Sequence, residues 1–159
     1  MALNYTSPAT LASTSFSTLA SKNTTATAAA GCIARATSTT NNVVDTQVRI
    51  TAVTPAFTAT SSTSVDLYVV GSNDGTTWPD GITASDAAVT LPSLSNNLRW
   101  IGSLMCPTSA GTFVSEPLSV AAAFGGVMPQ QWKVVIQNNL PAGVSLTSGT
   151  VSFSEIYYN

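Results

Sequence analysis

Histidine is absent from this 159-residue chain. Its absence removes the commonest general base and the commonest metal-ligating side chain together. Ser–His–Asp and Cys–His nucleophilic arrangements are excluded outright. Charge is also scarce: Asp, Glu, Lys and Arg make up 8% of the residues, against about 25% in an average soluble domain. The five basic residues, Lys22, Arg35, Arg49, Arg99 and Lys133, are scattered. No basic cluster is present to neutralise phosphates, so nucleic acid is not an expected partner. No polybasic or amphipathic helical stretch points to a membrane surface, and no apolar run approaches the roughly 18 residues that would span one. Cysteine occurs twice, at Cys32 and Cys106, too sparsely for a disulfide framework. The pair reads as two small buried hydrophobes, with a single Cys32–Cys106 bridge as the alternative. The start, Met1-Ala-Leu-Asn-Tyr5, lacks the basic residues and continuous apolar run of a secretory signal, so synthesis as a soluble cytoplasmic chain is expected.

Hydroxyls take the place of charge. The chain holds 21 Ser and 24 Thr, more than a quarter of its residues. Thr is β-branched and favours strands, whereas the Glu, Lys, Gln and Arg that normally cover helix surfaces are few. Composition therefore points to an all-β protein. The hydrophobic fraction of 44% is enough for a full core, and a chain of this length buries about 70% of its unfolded surface without a disulfide or metal. A surface with so little charge is weakly protected against self-association. That suits a protein covered by neighbours, although a hydroxyl-rich surface can also be soluble alone.

Residues 1–30 are low in complexity, with widely spaced apolar anchors at Leu3, Tyr5, Leu11, Phe16 and Leu19. They read either as an extended arm that crosses to a neighbour or as an irregular edge segment of the chain's own domain. The remainder, 31–159, reads as one β-sandwich domain. Cys32–Ala36 is a short strand. Val44, Thr46, Val48, Ile50 and Ala52 alternate with Asp45, Gln47, Arg49 and Thr51, the period of a strand with one wet face, and Pro55 closes it. In Ser64–Val70 the inward set is Val65, Leu67 and Val69. Asn73-Asp74-Gly75 and Pro79-Asp80-Gly81 are turns. Ile82–Leu94 is a loop with an edge strand at Ala88–Leu91. Leu98–Leu104 is a strand with Leu98, Trp100 and Leu104 on one face. Thr112–Glu116 and Leu118–Ala122 are short strands broken by Pro117, with a single helical turn as the alternative for Ala121–Gly126. Gln131–Gln137 carries Trp132, Val134 and Ile136 inward and Lys133, Val135 and Gln137 outward. Val144–Leu146 opens a final hairpin that ends in Thr150–Tyr158, where Val151, Phe153, Glu155 and Tyr157 share a face. The total is about eight antiparallel strands with turns between them and no βα alternation, a sandwich or jelly roll.

Catalytic constellations are lacking. Of the carboxylates, Asp45 and Asp66 fall on outward strand faces and Asp74 and Asp80 in turns. Only Glu116 and Glu155 have no evident backbone role, which leaves little for paired-carboxylate chemistry. A calcium site from Asp74, Asp80 and backbone carbonyls competes with the simpler reading of two Asp-Gly turns. Gly125-Gly126 lacks the helix and Lys of a nucleotide loop. No catalytic residue, metal or cofactor is expected. Trp78, in a polar hairpin, either stacks on a sugar ring or folds back over the core. Trp100 and Trp132 are expected in the core.

The segment Asp66-Leu-Tyr-Val-Val-Gly-Ser-Asn-Asp-Gly-Thr-Thr-Trp78 resembles a hairpin of discoidin-like β-sandwich modules and of tailed-phage virion proteins. The Ser/Thr/Ala-rich start, the missing charge and Gln131-Trp-Lys-Val-Val-Ile-Gln-Asn-Asn139 before a Gly-containing loop and last strand resemble small jelly-roll decoration (cement) proteins of phage heads. That resemblance implies a non-enzymatic virion protein on the phage head surface. It would sit on major capsid protein subunits as a homo-oligomer, with a trimer favoured. The competing expectation is a receptor- or glycan-binding module using Trp78, Tyr68, Asp74 and Asp80; a tail or neck component is the third.

Overall fold

The computed structural model describes residues 2–11, 30–36, 42–59, 63–82, 88–89 and 97–158. Phe16 and Leu19 lie outside the described residues, as do 83–87 and 90–96 of the loop expected after Ile82.

The strands are β1 (Leu3–Tyr5), β2 (Ala9–Leu11), β3 (Ala30–Ala36), β4 (Asn42–Thr54), β5 (Ser64–Ser72), β6 (Ala88–Val89), β7 (Arg99–Met105), β8 (Gly111–Val114), β9 (Leu118–Ser119), β10 (Gln131–Asn138) and β11 (Ser148–Tyr158). One helical turn, α1 (Val120–Ala123), follows β9. The first sheet is ordered β1-β11-β4-β8, with β2 also on β11 and β9 also on β4; the second is ordered β6-β3-β10-β5-β7. The pairings are antiparallel. If β1 and β2 share one position, β8 and β9 share another and β6 is an added edge, eight positions remain among the described residues. Their chain order is 1-8-3-6 in one sheet and 2-7-4-5 in the other. That nesting, in which the last strand lies between the first and third, is the double Greek key of a jelly roll.

The core between the sheets follows from period-two patterning. From the first sheet come Val48, Ile50 and Ala52 of β4 and Val151 and Phe153 of β11. From the second come Val65, Leu67 and Val69 of β5 and Trp132, Val134 and Ile136 of β10. Each fully buried Val, Leu or Ile contributes roughly 1.5–3 kcal/mol relative to exposure. Trp132 meets Phe153 across the layers edge-to-face, centroids 6.4 Å apart, a geometry aromatic quadrupoles favour. Asn138 closes the β10–β11 connection: its side chain donates to the Val144 carbonyl and accepts from the Leu140 amide, each at 3.0 Å.

Of the two readings of the N-terminal segment, residues 2–11 follow the one on the chain's own sheet: Leu3, Asn4 and Tyr5 pair with Tyr158, Tyr157 and Ile156, and Leu11 is buried in the core. Other expectations need correction. Val144–Leu146 forms no strand; β11 pairs with β4 and the N-terminal strands instead. Leu118–Ala122 divides into β9 and α1, because Ser119 caps the turn by accepting from the Ala122 amide at 3.0 Å.

Trp100, expected in the core, is 61% exposed. The β5–β7 register pairs Leu67 with Gly102 but Tyr68 with Trp100. Ile101 is therefore an extra residue, and such a bulge reverses the facing of everything beyond it. A second bulge, where Ile156 pairs with Asp45 and Tyr157 with Val43, leaves Val44 exposed instead of inward. Lys133 and Val135, expected outward, are fully buried, because the outer face of β10 has a covering of its own, built from the loop after β5.

Candidate interaction surfaces

That covering comes from residues 71–82. Asp74 organises the turn. Its Oδ1 accepts from the Thr76 and Thr77 amides and from the Ser72 hydroxyl, and its Oδ2 accepts from the Thr77 hydroxyl. These donors, the backbone amides foremost, hold the carboxyl well below the usual Asp range. Gly75 takes φ +70°, and a Cβ there would collide with the Gln131 side chain. Trp78 folds back, donating from Nε1 to the Gly75 carbonyl at 3.0 Å. With 8% of its surface exposed, it packs with Val70, Ile82 and Val135 against the outside of the second sheet. Lys133 Nζ lies 4.9 Å from its ring centroid, a cation–π contact that helps the ammonium tolerate burial. Trp78 thus caps an outer satellite core rather than the core between the sheets, and its ring offers no open face to a sugar.

Among the described residues, Asp45 and Asp80 are tied into the fold. Asp45 accepts from its neighbour Thr46 at 2.7 Å and from the Ala121 amide at 2.9 Å, tying β4 to α1. Asp80, at φ 59°, accepts from the backbone and side-chain nitrogens of Asn97 at 3.1 Å each. Glu155 is buried whereas Glu116 is exposed. No group of three His, Cys, Asp or Glu that could hold a metal occurs among the described residues. Cys106 is a buried free thiol, and burial pushes its pKa up to about 11.

Among the described residues, two groups of exposed side chains that include aromatics stand out. The first lies at one end of the first sheet. Leu3 faces Tyr158 and Tyr5 faces Ile156 across β1 and β11; Val44 bulges from β4 beside them. Leu3, Tyr5, Val44 and Tyr158 are exposed by 47, 61, 36 and 39%. The patch therefore joins two expected anchors, Leu3 and Tyr5, to residues from the far end of the chain. The third anchor, Leu11, is spent on the chain's own core. Tyr158 and Val44 were not foreseen, since nothing local marks the strand neighbours of β1.

The second surface is the outer face of β5 and β7. Trp100 stands opposite the half-buried Tyr68. Its Nε1 donates to the Ser103 hydroxyl at 3.3 Å, which donates to Asp66 Oδ1 at 2.6 Å. Ser64 also donates to Asp66 Oδ1, and Asn139 Nδ2 to Asp66 Oδ2. Residues 100 and 103 share a face only because of the bulge at Ile101. Gly102, isolated inside a strand pattern, was the sequence signal for it. A narrower groove on the first sheet, lined by Pro8, Gln47, Arg49, Pro117, Ser152 and Ser154, holds about 160 Å³.

The fold and these surfaces define the class: an all-β jelly roll carrying exposed aromatic faces. In comparisons with known proteins no family model matches the chain, and neither a curated protein nor a solved structure shows significant similarity.

Proposed function

We propose that this chain is a non-enzymatic structural protein of a virus particle, a decoration protein that docks on the major capsid subunits of a tailed-phage head. The observation that carries the reading is the patch of Leu3, Tyr5, Val44 and Tyr158. It lies on a molecule with only five basic and seven acidic residues to keep it apart from neighbours. Solitary exposed hydrophobes are ordinary, but Leu3, Tyr5 and Tyr158, brought onto one strand pair by the β1–β11 register, mark an interaction surface. Capsid proteins are among the users of the jelly-roll architecture, which supports the reading by analogy of fold.

The physics is that of linkage. A protein that binds only the assembled shell stabilises it by mass action. Modest contacts, repeated through a homo-oligomer such as a trimer, gain avidity without each being strong. Tyr side chains suit this role because they bring large contact area at small entropic cost.

The test is co-sedimentation with shells of the major capsid protein. Tyr5→Asp combined with Tyr158→Asp leaves the core untouched and is expected to reduce binding at least about tenfold, with an unchanged far-UV spectrum. Full binding by this folded double variant overturns the assignment of the patch.

A further inference from the structure

From the outer face of β5 and β7 we infer a second site, independent of the capsid reading: a saccharide platform in which a pyranose ring stacks on Trp100 and hydrogen-bonds to Asp66, Tyr68 and Ser103.

Four observations carry it. The first is the bulge. Without the extra residue Ile101, the β7 pattern would send Trp100 into the core alongside Leu104. Instead the strand turns a large indole out to 61% exposure. Bulges gather next to functional sites because they re-aim a side chain. The second is preorganisation. The hydrogen bond from Trp100 Nε1 to Ser103, continued to Asp66, fixes the ring on the sheet before any ligand arrives, so little rotamer freedom is lost on binding.

The third is remaining hydrogen-bonding capacity. A carboxylate has about four acceptor sites, and Asp66 accepts from Ser64, Ser103 and Asn139, which leaves room for one hydroxyl on Oδ2. Asn139, 4% exposed, holds that carboxylate from beneath through its Nδ2, so the acceptor is fixed in place before a ligand arrives. Burial, and secondarily the Asp66 charge, raise the Tyr68 phenol pKa above its ordinary value, so at neutral pH its O–H remains a donor. The fourth is the chemistry of the surroundings. An indole meant for a protein partner gains most in an apolar, fully desolvated centre. Trp100 has a carboxylate and hydroxyls around it. A pyranose offers the matching pair of features, a C–H face for the ring and hydroxyls at its rim. The sheet face is open, so the ligand is a residue of an oligosaccharide lying across the strands.

Fluorescence titration of the intact protein with cellotetraose, triacetylchitotriose, mannotetraose and a β-galacto-oligosaccharide tests this directly. Trp132 is fully buried and Trp78 nearly so, so Trp100 is the solvent-facing indole. At least one of the four sugars is expected to quench or blue-shift the emission saturably at millimolar concentration or below. Trp100→Ala should weaken that binding at least about tenfold, and Asp66→Asn several-fold. Trp100→Phe, which keeps an aromatic face, should retain most of it. A far-UV spectrum confirms that each variant is folded. No binding by any of the four sugars overturns the proposal, as does equal binding by folded Trp100→Ala. Loss of shell co-sedimentation on Trp100→Ala, with no sugar bound, would assign this face to a protein partner and overturn it equally.

Discussion

At the scale of single residues, close approach and burial decide more than chemical reactivity. Gly102 of β7 faces Leu118 of β9 across the core. A Cβ there would stand 2.7 Å from Leu118 Cδ2, well inside van der Waals contact. Gly102→Ala is therefore expected to destabilise the fold by about 1 kcal/mol, because the half-buried Leu118 side chain must swing aside to admit the methyl, read as a lower urea midpoint. Trp100→Ala, two residues away but on the solvent side, should change the unfolding free energy by no more than about 0.5 kcal/mol. Cys106 makes a different prediction. Burial pushes its pKa in the folded state up to about 11, from an ordinary value of 9.0, so the folded state holds the thiol proton more tightly than the unfolded chain does. The stabilisation is complete below pH 9 and is lost as pH rises toward 11. Cys106 should thus resist thiol reagents at pH 8 until the protein unfolds, while stability declines with pH over that alkaline window. Rapid labelling of Cys106 in the native protein at pH 8 would contradict its burial.

At the scale of elements, the two ends of the chain depend on each other. β1 and β2 cover the edge of β11, and Leu11 fills the core beside it. Removing residues 2–11 would uncover a long strand edge and empty the Leu11 site. The expected result is a loss of at least about 2 kcal/mol, since burying Leu against a cavity is worth that much. Concentration-dependent association should accompany it, because an open edge templates pairing. Chemical denaturation and light scattering read the two effects separately. A truncated protein as stable as the intact one, with the same association state, would show that these strands are ornamental. The loop after β5 is a second interdependent element. Its four-bond Asp74 turn, Gly75 and the returning Trp78 roof the outer side of β10, which is why Lys133 and Val135 are buried despite their outward parity.

At the scale of the whole molecule, the jelly-roll order makes nearly every neighbour distant in sequence. β11 sits between the N-terminal strands and β4, and β10 between β3 and β5. Loop-closure entropy must be overcome before those pairings reward it, so folding is expected on the millisecond-to-second scale despite the modest size. Stopped-flow fluorescence of Trp132, which becomes buried against Phe153, is the appropriate readout; a microsecond phase carrying the full amplitude would contradict this topology. The same nesting leaves the two surfaces described above on different sheets, so the proposed capsid docking and the inferred sugar binding can be tested separately by variants on one face at a time.

The all-β class, the strand positions of β4, β5 and β10 and the inward sets of their core residues were legible from the amino-acid order, because a period of two and turn chemistry at Asn73–Gly75 are local properties. The absence of histidine likewise determined which chemistries are closed to this chain. What only the tertiary structure decided was where that periodicity breaks and who lies beside whom. Ile101 and Val44 each insert one residue opposite a partner strand, and a one-residue insertion inverts facing, which no count along a single strand reveals. Trp78 went to the outside of β10, and Tyr158 came to rest against Leu3, because sheet pairing joins residues by space rather than by sequence.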